Sequence, residues 1–166
     1  VHAATAISAG ILGAEATAYH LPWMKERPQD YSAQTLVRLE SHVIIPATDY
    51  IHAQQARTRF IQQVRQLMET VDVLVAPTVG VTAPRMGEST KVVNGQEYPT
   101  QVLLTMLTRV FNCSGGPVIS VPCGFDDFGL PVGLSIYGRD FEEATVFRTA
   151  YAYEQATEWH TLRPKL

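Results

Sequence analysis

The sequence predicts an α/β fold in which helices cover a central sheet on both faces. Three observations carry this expectation. The segment 49–70 places Ala53, Ala56, Phe60, Ile61, Val64, Leu67 and Met68 on one stripe at helical spacing. It is followed directly by "VDVLVA", an almost unbroken apolar, β-branched run from Val71 to Ala76 that Pro77 stops. A strand without a solvated face reads as one buried between layers, in a parallel or mixed sheet. Two further short apolar runs, Val118–Val121 and Val132–Ile136, then precede a last helical pattern.

Taken in order, Ala4, Ile7, Ile11, Ala14 and Ala18 predict a small-faced helix over Ala3–Tyr19. "LPWMKERPQD" predicts a loop, punctuated by Pro22 and Pro28. Ser32 is placed to cap a short helix running to about Ser41, and Thr48 to cap the long helix from Asp49. Between Thr78 and Pro99 the chain is rich in Gly, Pro and Thr, and Asn94-Gly95 predicts a hairpin turn. Val102, Leu103, Met106, Leu107 and Val110 predict one helix from Thr100 to near Asn112. Asp140, with Glu143 three residues on, reads as a carboxylate capping box for a final helix to about Thr157. At least three central strands are expected. So few strands would leave an apolar sheet edge unpaired, which invites a partner.

Hydrophobic residues make up 46% and charged residues 17% of the 166 residues, so disorder is not expected. The net charge of −3 carries no basic run, which argues against nucleic acid and anionic membranes as partners. No apolar run reaches the length of a membrane span. Cys113 and Cys123 fit neither a metal motif nor a disulfide framework and read as free thiols in a reducing cytoplasm. The chain begins at Val1 within a helical pattern, which we read as a sign of an incomplete unit.

The stretch "NCSGGPVISVPCGF", Asn112 to Phe125, tests whether the chain carries its own nucleophile. Ser114 beside two glycines resembles a serine on a tight turn. The nucleophile elbow, however, needs Gly two residues before and two after the serine, and Asn112 stands at the first of these positions. Ser114 therefore reads as the end of a helix, with Gly115 supplying positive φ and Gly116-Pro117 launching a strand. His2, His20, His42, His52 and His160 are scattered without metal-ligand spacing, and Lys25, Lys91 and Lys165 lie in loops or at the tail. No dinucleotide or phosphate-binding fingerprint is present. The residues predict no catalytic set, no metal site and no cofactor.

Read together, "VDVLVAPTVGVTAP", "NCSGGPVISVPCGF" and "GLPVGLSIYGRDFEEATVFRTAYAYEQATEWH" resemble the carboxy-terminal half of amidase signature enzymes. The upstream "RPQDYSAQTLVRLESHVIIPATDYIHAQQAR" extends the resemblance over nearly the whole chain. It implies part of an α/β/α sandwich with a mixed central sheet, incomplete in this chain, over residues 1–166. It also implies hydrolysis of a carboxamide C–N bond by a Ser–Ser–Lys triad, without cofactor. That triad belongs to the family's amino-terminal portion and is not found here. The partners implied are the amino-terminal half of the same enzyme and a small amide substrate, with a homodimer as another way to cover the open face. By position, the resemblance marks Thr78, Met106 and Asn112 as substrate-binding, and Arg38 as a cation that could pair with a substrate carboxylate. Two other readings stay open: the glutamine-hydrolysing component of a tRNA-dependent amidotransferase, and a non-catalytic remnant that binds a ligand or partner chain.

Overall fold

The computed structural model describes residues 2–163. Lys165 lies outside them. Among the described residues six α-helices and five β-strands follow one another along the chain: α1 (His2–Glu26), α2 (Ala33–His42), α3 (Ala47–Met68), β1 (Val73–Pro77), β2 (Thr90–Val93), β3 (Gln96–Pro99), α4 (Thr100–Thr105), α5 (Thr108–Ser114), β4 (Val118–Phe125), β5 (Pro131–Gly138) and α6 (Glu143–Gln155). Single 3-10 turns at Pro28–Asp30 and Trp159–Thr161 complete the set.

The main sheet runs in the order β1-β5-β4, and both pairings are antiparallel. The mixed strand directions expected for the sheet are absent from the described pairings. The layering is as expected, because alternate residues of one strand serve opposite faces. Ile136 on β5 packs with Val121 and with Ala150 of α6. Its neighbour Tyr137 packs with Met68 of α3 and Phe111 of α5, its ring stacked on Phe111 with centroids 5.1 Å apart. A third cluster joins α1 to α3 and α5 through Ala4, Ile7 and Cys113, with Phe60 and Ala56 against it. Helices thus lie on both sides of the sheet.

Several local expectations hold. The Ser32 hydroxyl accepts from the Thr35 N–H and caps α2. Asn94 and Gly95 both take positive φ in the turn of the β2–β3 hairpin, as a two-residue turn of the primed type requires. Gly115 ends α5 at φ 84°.

Others are corrected. Residues 21–26, expected in a loop, continue α1 through Pro22 as far as Glu26. Met24 is buried there, and Tyr19, His20, Trp23 and Tyr31 form an edge-to-face array around that turn. Thr48 is not a cap: α3 starts at Ala47, with Pro46 in extended geometry before it. The single helix expected over 100–112 is two, broken between Thr105 and Thr108. Asp140 is not the cap of α6; that position falls to Glu142, without a side-chain cap bond. Asp140 is drawn off by Arg65, whose Nη2 stands 2.7 Å from its Oδ2. A charged partner on α3 outcompetes the local pattern. The strands β4 and β5 extend beyond 118–121 and 132–136, with a bulge between Pro122 and Gly124.

Two clamps fix what surrounds the sheet. Arg139, just past β5, donates to the Met68 and Val71 carbonyls, each at 2.9 Å, and pairs with Asp72. It therefore ties the end of β5 to the α3–β1 connection. Asp126, in the β4–β5 turn, accepts from the N–H groups of Phe128 and Leu130 through Oδ1 and from the Thr82 hydroxyl through Oδ2. The Thr82 bond, with those backbone bonds, holds its carboxyl below the usual carboxylate range. This one side chain couples the loop after β1 to the far hairpin.

Candidate functional site

The site is built on the α3/α5 face of the sheet, where β5 runs out of large side chains. Along that face Tyr137 gives way to Ser135 and then to Gly133. Ser135 is 3% exposed and pairs directly across the ladder with Ser120 of β4. Thr78 follows β1, its N–H donating to the Gly133 carbonyl at 2.8 Å. The three hydroxyls meet. Ser135 Oγ donates to Thr78 Oγ1 at 3.0 Å, and Thr78 Oγ1 lies 2.6 Å from Ser120 Oγ. Gly133 is needed for this approach, since a Cβ there would stand 2.8 Å from Thr78 Oγ1 and 3.1 Å from Ser120 Oγ.

Above the hydroxyls an open cavity of about 170 Å³ is lined by Thr108, Phe111 and Asn112 of α5, with Val118 at its side. None of its lining residues is titratable. It can hold and orient a neutral polar group, but it offers no proton acceptor to activate a nucleophile.

The four residues marked by the resemblance fall in different places. Thr78 and Asn112 line this one cavity. Met106 is half-buried at the end of α4, its N–H bonded to the Val102 carbonyl, and does not line it. Arg38 lies exposed on α2, donates to the Gln101 side chain, and faces a separate groove of about 690 Å³ with Thr35, Pro84, Glu88 and Gln101. Sequence reasoning missed Ser120 and Ser135. The available signal was a lone serine in each of two otherwise apolar strand segments, "VISV" and "VGLSI".

Ser114 is buried and its hydroxyl donates to the Phe111 carbonyl of its own helix at 2.9 Å. That bond ends a helix and leaves no geometry for attack on a substrate. Among the described histidines, His20 meets the Tyr31 hydroxyl at 3.0 Å and His42 packs against Gly13; none lines the cavity. Cys113 is buried, which raises its thiol pKa despite the guanidinium groups of Arg57 and Arg109 nearby. Among the described residues no His, Cys, Asp and Glu group could hold a metal, and no helix is long and apolar enough to cross a membrane.

A helix–sheet–helix body with an uncharged, hydroxyl-lined cavity on one face is the class this geometry defines. Comparison with known proteins narrows it. The amidase family model matches residues 5–147, and the chain belongs to that family. It is 37% identical to an amidase of Pseudomonas putida over 158 residues, covering 95% of this chain and 34% of the relative. It is 38% identical over 149 residues to the A component of the glutamyl-tRNA(Gln) amidotransferase of Thermosynechococcus vestitus, covering 87% of this chain and 30% of that one. The fold superposes on a crystal structure of an amidase with a TM-score of 0.87 at 23% identity, over 92% of this chain and 35% of that one. A second solved chain, from work on a vestigial protein complex and the evolutionary origins of an s-triazine catabolic enzyme, gives 0.86 at 27% identity over 92% and 34%. The chain thus spans about a third of the length of the relatives it matches.

Proposed function

We propose that this chain is the carboxy-terminal half of an amidase domain, forming its central strands and one wall of the pocket in which a carboxamide C–N bond is hydrolysed. The observation that carries this reading is the shared cavity of Thr78 and Asn112, which come from opposite sides of a sheet and helix yet face one space. The absence of a titratable group from its lining fits a wall rather than a catalytic centre. The Ser–Ser–Lys set that attacks the carbonyl comes, on this reading, from polypeptide outside these residues. This wall would seat the acyl part of the substrate. Arg38 contacts the substrate only if it carries a carboxylate that reaches the second groove.

Support for a covering partner comes from apolar surface left open on the sheet and on α6. Val75 of β1 is 61% exposed and Phe147 of α6 63% exposed, with Tyr151 one turn further on. The amino-terminal half of the enzyme is the occupant we assign to this surface. Expressing the chain alone, and then joined to whatever its gene encodes upstream of Val1, tests the reading directly. Hydrolysis of simple amides only in the joined form is the expected result. Turnover by the lone chain that disappeared with Ser114→Ala would overturn it. Glutamine hydrolysis that fails in Arg38→Ala would instead favour the amidotransferase reading, which the match to the Thermosynechococcus vestitus protein supports.

A further inference from the structure

The groove beside Arg38 carries chemistry that the sheet-face cavity lacks. It runs between α2 and the segment 84–89 that precedes β2, with Thr100 and Gln101 of α4 in its lining, and encloses about 690 Å³. Two guanidinium groups stand in that lining, Arg38 from α2 and Arg85 from the loop. Arg38 gives Nη2 to the Gln101 side chain, and its remaining donors are uncommitted. Among the described residues the Arg85 side chain makes no hydrogen bond or ion pair. Glu88, the one carboxylate in the lining, accepts from the Arg85 backbone N–H at 2.9 Å. Thr100 is 5% exposed, and its hydroxyl is buried without a hydrogen-bond partner. Its N–H is already taken by the Ser89 carbonyl at 2.9 Å. Buried hydroxyls are normally paired, so an orphan in the wall of a groove points to a group that arrives from outside. Past Arg38 and Gln101 lies a second groove of about 390 Å³, where Leu12, Ala16 and Val102 supply apolar surface. The two share Arg38, Leu39, Pro99 and Gln101 in their walls.

We propose that this double groove binds a phosphate monoester with an apolar organic part. The phosphate sits between Arg38 and Arg85, and the organic group lies against Leu12 and Val102. A phosphate monoester near neutral pH carries close to two negative charges and three free oxygens. Two guanidinium forks and the Thr100 hydroxyl, with Gln34 and Ser89 also in the lining, supply donors in matching number. A carboxylate has one charge and two oxygens, and would leave one guanidinium unmatched. Exposed guanidinium groups contribute little singly because solvent and salt screen them, so the selectivity rests on both acting on one group. None of these residues lines the sheet-face cavity, so the inference is separate from the function proposed above.

The test compares phenyl phosphate, inorganic phosphate and benzoate at neutral pH and low salt. Each is titrated into the isotopically labelled 166-residue chain and followed by backbone amide NMR shifts. Phenyl phosphate is expected to give saturable shifts at Thr35, Arg85, Ser89, Thr100 and Val102. It should bind about tenfold more tightly than either of the other probes. Arg85→Ala should weaken it about tenfold, and Arg85→Lys less, since the charge stays while the fork is lost. Thr100→Val removes the orphan hydroxyl with little change of shape. It should weaken phenyl phosphate at least about threefold without lowering the melting temperature, because no bond within the chain is broken. A hydroxyl with a purely structural role would leave the affinity unchanged. Arg148→Ala on α6, outside both grooves, should leave binding as it is. Absence of saturable shifts with phenyl phosphate overturns the proposal, as does undiminished binding in Arg85→Ala or Thr100→Val. Benzoate binding as tightly would overturn it in favour of a carboxylate at Arg38. Inorganic phosphate binding as tightly would overturn the assignment of an organic part. Success or failure of amide hydrolysis in the joined protein bears on the proposed function alone.

Discussion

The two faces of the β1-β5-β4 sheet are made from the same strands and do opposite things. Toward α6, Ile136 is 1% exposed and meets Val121 and Ala150, with Ile119, Leu134 and Tyr153 packed against them. Toward α3 and α5, the apolar packing of Tyr137 on Phe111 and Met68 stops after one residue, and hydroxyls follow. Neighbours in sequence, Ser135 and Ile136, therefore sit on the two sides of this contrast. One face stabilises the sheet, and the other trades packing for a hydroxyl-lined cavity. A fold that hosts a site on a sheet face has to leave that face incompletely filled there.

Substitutions break the contrast at different strengths. The largest effect is expected on the dry face, where Ile136→Ala should cost about 2–5 kcal/mol in chemical denaturation, transfer plus cavity. A loss under about 1 kcal/mol would show that face to be loosely packed. Next comes Gly116→Ala, whose Cβ would stand 2.6 Å from the Tyr137 hydroxyl and 2.8 Å from the Gly138 carbonyl. Because backbone is among the atoms struck, overpacking should cost about 1–3 kcal/mol in the same assay. On the wet face, Gly133→Ala should displace Thr78 from its hydroxyl partners, lowering stability in the same assay less than Ile136→Ala does.

Smaller still is the pH effect of Asp126, which tethers the loop bordering the wet face. Its carboxyl titrates below the usual range when folded, so its contribution is present above the unfolded value near 3.9 and lost as pH falls through the folded one. Asp126→Asn should flatten the fall of stability below about pH 4, measured by urea melts across that range. An unchanged acid limb would mean that other carboxylates carry it. Least is expected of Cys113: burial keeps it a thiol at neutral pH, so alkylation followed by mass spectrometry should label Cys123 first.

Legibility followed the range of the forces involved. Short-range signals were readable: the Asn94-Gly95 turn, the Gly115 helix end and the Ser32 cap each depend on a residue's own φ or on a hydroxyl three residues away. Signals decided by distant partners were not. Asp140 looks like a cap until Arg65, 75 residues earlier, arrives at hydrogen-bond distance. Pro22 looks like a stop until the rings of Tyr31 and its neighbours pack beside the helix. The site divided in the same way. Thr78 and Asn112 could be marked by position within a pattern, but Ser120 and Ser135 gain meaning only from the register that sets them opposite one another. Arg38 illustrates the converse, since its match in sequence carries it to a groove away from the other two.

The middle place of β5 has one more consequence. Both of its margins are occupied by β1 and β4, whereas each outer strand has only one neighbour among the described residues. Further strands from any source would join at those outer borders, in the plane of the sheet. The hydroxyls stand perpendicular to that plane, so enlarging the sheet sideways leaves their spacing intact. Lateral growth of the sheet and the hydroxyl cluster thus lie along different axes of the same small scaffold, and a strand added at a border would leave the cluster as it is.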